Sequence, residues 1–222
     1  MKQVTKHERG PAILPLTPMP EKEKRRPGRK KKAPEADSVQ TAETAATIAT
    51  TEPAAAETAV AETAKKKILF VGAEVMPFAA TGGLGDVLGS LPAALAQTGR
   101  VDVRVVMPLY GSIAPAWRAQ MKEEYITSVR LAWREQYCGI YSLTKDGVTY
   151  YFIDNEYYFR RPALYGYYDD GERYAFFCMA VLEMMNRLNY YPDILHAHDW
   201  QAALSVVYLN CLYRSRPWYG TM

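Results

Sequence analysis

The sequence predicts an open α/β fold: a parallel sheet with one inserted β-hairpin. Three observations carry that prediction. From residue 67 onward, short runs of strand formers alternate with stretches of helical periodicity. A glycine-containing loop joins the first such strand to the first helix. An Asp-Gly pair, Asp146-Gly147, separates two further strand-like runs, which is a strong short-range hairpin signal.

Taken in order, Lys67–Gly72 (KILFVG) reads as a short buried strand and AEVMPFAATGG as the loop after it. Apolar residues then fall at Leu84, Val87, Leu88, Leu91 and Leu95, which is helical spacing; Pro92 should kink this helix and Thr98-Gly99 should stop it. Val101–Pro108 (VDVRVVMP) is the next strand. Strand, loop, helix, strand makes a βαβ unit, with parallel strands and a right-handed crossover. Between 126 and 153 the pattern turns to strands, with GIYSLTK and VTYYFID flanking Asp146-Gly147. Gly171–Asn189 returns to helix, DILHAH gives a last short strand, and Trp200–Tyr213 a last helix.

Composition divides the chain sharply. Residues 1–67 hold 14 Lys/Arg, 9 Asp/Glu and no aromatic residue, whereas residues 68–222 hold all 27 aromatics and a net charge of −2. Without large apolar side chains to offset chain entropy, residues 1–65 are expected to be a disordered tail, and 66–222 the folded domain. Within the tail, residues 22–32 (KEKRRPGRKKK) carry eight basic groups against one acid. That run either contacts phosphate backbones or serves as a solubilising charge block. Residues 33–64 hold six acids, twelve Ala and no base, and read as a solvated spacer. Only one serine, Ser38, accompanies the nine acids, so a transit peptide has little support. Cys138, Cys178 and Cys211 are too scattered for a disulfide framework and fit a reducing compartment. No run approaches the ~18 apolar residues of a membrane span. A membrane protein, a disulfide mini-protein and a wholly disordered chain are excluded.

In open α/β sheets, ligands sit beyond the carboxyl ends of the strands, and two places qualify. One is Thr81-Gly82-Gly83, where small residues let backbone N–H groups approach an anion at a helix N-terminus. Neither GxGxxG nor a P-loop is present. The other is His196-Ala197-His198-Asp199-Trp200. Strand alternation puts both histidines on one side, but a third metal ligand is missing, so a metal site is not expected. In this stretch Asp199 has a plain reading as a helix N-cap, and Trp200 as core.

Four ordered blocks carry a resemblance: KILFVGAEVMPFAATGGLGDVLGSLPAAL (67–95), VDVRVVMPLY (101–110), YFIDNEYYFRRPALYGYYDDGERYAFF (151–177) and PDILHAHDWQAAL (192–204). Together they resemble the start of the catalytic region of bacterial glycogen synthases and plant starch synthases, retaining glucosyltransferases of the two-domain, Rossmann-like GT-B type. The resemblance implies transfer of glucose from ADP-glucose to the non-reducing end of an α-1,4-glucan, with no cofactor and no metal. It also implies that the donor diphosphate lies against Gly82 and Gly83, that His198 faces the donor sugar, and that Asp169 belongs to the catalytic set with Arg173 and Tyr174 following it. Catalytic roles thus fall on His198 and Asp169, and substrate binding on Ala80, Thr81, Gly82, Gly83 and Arg173. The family's glycine loop usually reads Lys-x-Gly-Gly-Leu, and Ala80 stands here in the place of that lysine. The family also needs a second domain, so this chain is expected to be a fragment, inactive alone. Two alternative readings are a non-catalytic glucan-binding module and a nucleic-acid-associated protein led by the basic tail.

Overall fold

The computed structural model describes residues 65–217 and Tyr219; the expected tail up to residue 64, with its basic run, lies outside these residues. Six strands form one sheet in the order β3-β4-β5-β2-β1-β6. The alternation read from the sequence is realised closely. β1 (Lys66–Val71) leads into α1 (Gly83–Gln97) and β2 (Val101–Pro108), and β1 and β2 pair in parallel. α1 continues through Pro92, whose ring is buried with Leu88.

Beyond β2, the short α2 (Pro115–Arg118) precedes a meander of β3 (Lys122–Leu131), β4 (Arg134–Lys145) and β5 (Val148–Asp154). The Asp146-Gly147 turn adopts φ of 52° and 76°, the two positive values that this hairpin turn requires. A second hairpin was not legible: β3 returns into β4 through Ala132-Trp133, with Ala132 at φ 53° and neither Gly nor Asn at the turn. β5 then adds in parallel to β2, so the hairpin hangs on an otherwise parallel sheet.

α3 (Glu156–Phe159) is a single turn, capped where the Asn155 side chain accepts from the Tyr158 N–H at 3.1 Å. α4 (Asp170–Arg187) is the longest helix, and its buried face includes Phe176, Phe177, Val181 and Met184. β6 (Ile194–Ala197) pairs in parallel with the far side of β1. The Asp193 carboxylate clamps the start of that pair, accepting from the Lys67 N–H at 2.8 Å and from Lys66 Nζ at 3.0 Å. α5 (Trp200–Tyr208) does not run to Tyr213 as a uniform α-helix; it widens into a π-turn over Leu209–Tyr213. Among the described residues no helix is long and apolar enough to cross a membrane.

The core fills the sheet with Leu69, Phe70, Val105, Val106, Phe152 and Ile153, all essentially inaccessible. Phe78, from the loop after β1, packs edge-on against Tyr150 and Phe152 at 5.0 Å. Burial pushes the Cys138 and Cys178 thiols up to about 12, while Cys211 is exposed. The thiolate is the reactive form. In the native chain a neutral alkylating reagent should therefore modify Cys211 alone, and Cys138 and Cys178 should react only after denaturation. Mass spectrometry of the alkylated chain checks this.

Candidate functional site

The strand order reverses at β1: β2 lies on one side of it and β6 on the other. Where chain connections leave two neighbouring parallel strands in opposite directions, a crevice opens beyond their carboxyl ends. Both sequence candidates follow the strands that flank this point. Thr81-Gly82-Gly83 follows β1 into α1, and His198 follows β6, its N–H donating to Val71 O at 2.9 Å.

The glycines of the first loop divide by cause. A Cβ on Gly85 would lie 2.2 Å from Ala80 Cβ, and one on Gly89 would lie 2.8 Å from Met76 O, so packing of the loop on α1 demands both. Nothing in the fold demands Gly82 or Gly83. A Cβ at either meets nothing within 4 Å, and Gly82 is in ordinary extended backbone. Their small size leaves open space over the helix N-terminus. The Ala80 methyl lies close to Gly85.

Sequence reasoning missed the residue that shapes this loop. Glu74 is only 3% exposed. Its carboxylate accepts from the Thr81 N–H (2.5 Å), the Thr81 hydroxyl (2.8 Å) and the Gly82 N–H (3.1 Å). Burial alone would raise this carboxyl, but the donors of Thr81, Tyr165 and Gly82 outweigh it and hold the group below the usual carboxylate range. Two of the amides expected to face an anion are thus already occupied. The Gly83 and Leu84 N–H groups, at the start of α1, make no hydrogen bond among the described residues. The signal was present in the sequence: Glu74 is the one acid in an otherwise apolar loop.

Across the crevice, the His198 ring stacks on Phe70 at 5.5 Å and lies 4.3 Å from the His196 ring. Burial first, then His196, holds the His198 imidazole below its usual range, so the neutral ring is favoured. Its Nε2 is buried with no hydrogen-bond partner among the described residues. Orphaned buried polar atoms are uncommon and call for an explanation. Asp199 follows at φ 63° and ψ 177°, a region that costs a non-glycine residue roughly 1–3 kcal/mol. Its carboxylate accepts from the Trp200 N–H at 2.7 Å, so the N-cap reading of Asp199 holds. Trp200 is not core: it is half exposed and meets Tyr174 edge-on at 5.1 Å.

The segment between α3 and α4 supplies the remaining candidates. Asp169 forms a two-point pair with Arg161, both contacts at 2.6 Å, and hydrogen bonds from that guanidinium hold its carboxyl below the usual range. Asp170 is the turn former: it accepts from the Gly166 and Tyr167 N–H groups at 2.6 and 3.0 Å and pairs with Arg173. Arg173, expected to bind substrate, is fully buried instead. Its guanidinium donates to Tyr158 O at 2.7 Å, Leu164 O at 3.0 Å and Asp170, so it holds the segment in shape and has no open face for a ligand. Tyr174 is likewise buried, donating to Leu164 O at 2.7 Å. Tyr165 ties this segment to the glycine loop, its hydroxyl 2.5 Å from the Thr81 hydroxyl.

An open helix N-terminus after β1 and an unsatisfied histidine after β6 flank a strand-order reversal, the place where open α/β sheets take their ligands. Comparison makes this specific. The family model described as the starch synthase catalytic domain matches residues 67–222, and the chain belongs to that family. It is 50% identical over 156 residues to the glycogen synthase of Geobacillus stearothermophilus, covering 70% of this chain and 32% of that protein. To the glycogen synthase of Lactobacillus acidophilus it is 56% identical over 137 residues, covering 62% and 29%. A solved structure, the catalytic domain of starch synthase IV from Arabidopsis thaliana bound to ADP and acarbose, superposes with a TM-score of 0.63 at 27% identity, covering 69% of this chain and 32% of that one. The chain therefore spans about a third of the length of the relatives it matches.

The two neighbouring aspartates have separable roles. Asp170→Asn removes charge from a pair with a fully buried guanidinium, whereas Asp169→Asn weakens a partly exposed one. In chemical denaturation, Asp170→Asn should cost about 1–3 kcal/mol more than Asp169→Asn. Equal losses, or a larger one for Asp169, would reverse the assignment.

Proposed function

We propose that this chain is the N-terminal, acceptor-side portion of a retaining glucosyltransferase, supplying one wall of the cleft in which glucose moves from ADP-glucose to the non-reducing end of an α-1,4-glucan, in glycogen synthesis in the bacterial cytoplasm. The observation that carries the reading is the pairing across one crevice of the open Gly82-Gly83 helix terminus with the orphaned Nε2 of His198. Family membership, relatives named glycogen synthase and a structural neighbour bound to ADP support it.

The chemistry follows from where charge develops. In an oxocarbenium-like transfer, positive charge grows at the anomeric carbon and negative charge on the departing diphosphate. The Gly83 and Leu84 amides and the α1 dipole stabilise the latter. Glu74 is ionised beside that helix terminus and offsets part of its roughly half-unit positive charge, so the terminus alone holds a diphosphate weakly. A cation is wanted nearby, and Ala80 does not supply it. His198, neutral and unsatisfied, fixes hydroxyls of the donor sugar. Asp169, kept ionised by Arg161, favours the developing cation. The opposite wall belongs to a second domain of the kind the longer relatives have room for.

The test places residues 67–222 in the corresponding third of the Geobacillus stearothermophilus enzyme and measures glucosyl transfer from ADP-glucose to glycogen. The chimera should turn over. His198→Ala and Asp169→Asn should each lower kcat by roughly tenfold to a thousandfold, about 1.4–4 kcal/mol, with little change in Tm. Ala80→Lys should lower the KM for ADP-glucose. An inactive but folded chimera, or near-normal kcat in both variants, would refute the assignment.

A further inference from the structure

The loop after β1 is seated on α1 through two glycines. Gly85 and Gly89 lie one turn apart on the same side of the helix. The Met76 N–H donates to Gly85 O at 3.0 Å, and a Cβ on Gly89 would come within 2.8 Å of Met76 O. Gly85 meets the far end of the same loop. A Cβ there would lie 2.2 Å from Ala80 Cβ, 3.4 Å from Ala80 Cα and 3.6 Å from Met76 Cγ. The overlap is therefore with one methyl group, and the other two distances are ordinary van der Waals contacts. Positions 80 and 85 share a volume that holds a single methyl group.

That shared volume controls what Glu74 can reach. Ala80 is followed by Thr81 and Gly82, whose amides donate to the buried Glu74 carboxylate at 2.5 and 3.1 Å. A methyl group on residue 85 would drive residue 80 off the helix by about 1 Å, the difference between 2.2 Å and ordinary contact. Displacement on that scale parts a hydrogen bond. The loop cannot move as a whole to follow, because the Thr81 hydroxyl is tied to that of Tyr165 at 2.5 Å. A buried carboxylate left without its donors is costly and takes others within reach. The next amides along the chain are those of Gly83 and Leu84, the pair that a donor diphosphate needs. Glu74 would change from a neighbour of the anion site into its occupant, and its charge would cancel the positive potential at the start of α1.

We propose that Gly85 is a positioning residue for donor binding: by leaving room for the Ala80 methyl, it keeps Glu74 on the Thr81 and Gly82 amides and off those of Gly83 and Leu84. The proposal rests on the transferase reading above and adds the residue pair that keeps its anion site open to the donor. The probes are Gly85→Ala, alone and together with Ala80→Gly, in the isotopically labelled 222-residue chain. Without ligand, Gly85→Ala should move the Gly83 and Leu84 amides downfield and those of Thr81 and Gly82 upfield. The dissociation constant for ADP, measured on folded chain, should rise about tenfold. Adding Ala80→Gly should return both readouts toward the parent values. A merely structural role would lower Tm and leave the ADP affinity of the folded chain unmoved. If the parent chain binds no ADP, the transferase reading fails, and the amide pattern alone decides this proposal. If Gly85→Ala alone does not fold, the double variant should fold and bind ADP as the parent does. Unmoved amides, an ADP dissociation constant within about twofold of the parent, or a double variant no better than Gly85→Ala would overturn the proposal.

Discussion

The site depends on β1 being paired in parallel on both sides. Ile68–Val71 accept β6 along one edge, while β2 occupies the other. Parallel pairing brings the carboxyl ends of all three strands to one rim, and the reversal of strand order at β1 parts the connections above it. Everything discussed as functional sits on that rim: the glycine loop leaving β1, His198 leaving β6, and the segment after β5. A register slip of one residue in β6 would turn its histidines to the other face of the sheet. Asp193, clamped to Lys66 and Lys67 at the opposite end, holds that register.

On this frame the loops are held by buried charge rather than by apolar packing alone. Glu74 folds the glycine loop back on itself, and Arg173 with Asp170 does the same for the segment before α4. The Tyr165–Thr81 contact then ties the two loops together. Buried ionised groups are stabilising only when their hydrogen bonds are met, and both are. Glu74 nevertheless takes amides and positive potential that a diphosphate would otherwise use. Loop rigidity and anion affinity are in opposition here, and the alanine at position 80 leaves the opposition unrelieved.

What the sequence revealed follows the range of the forces involved. Periodicity over Leu84–Leu95 and the Asp-Gly turn are local signals, and α1 and the β4–β5 hairpin formed as read. α2 and α3, four residues each, are too short to show a period. The β3–β4 turn puts Ala132 at positive φ, which no local preference announces. The site was half legible. Gly82 and Gly83 follow β1 and His198 follows β6, parallel neighbours whose carboxyl ends share one rim. Arg173 was misread because a charged residue beside a family motif looks like a ligand, whereas three acceptors distant in sequence or hidden by the turn bury it. Glu74, Arg161 and Tyr165 act through tertiary contacts that no spacing rule encodes.

The central claim is that the anion site consists of the Gly83 and Leu84 amides, because Glu74 already occupies those of Thr81 and Gly82. Amide and imidazole chemical shifts of the isotopically labelled chain, followed during titration with ADP, test it directly. The account predicts the largest downfield amide shifts at Gly83 and Leu84, a smaller change at the His198 ring, and Thr81 and Gly82 amides that stay near their free positions. Shifts led by Thr81 and Gly82, or confined to residues away from the β1–β6 crevice, would contradict it.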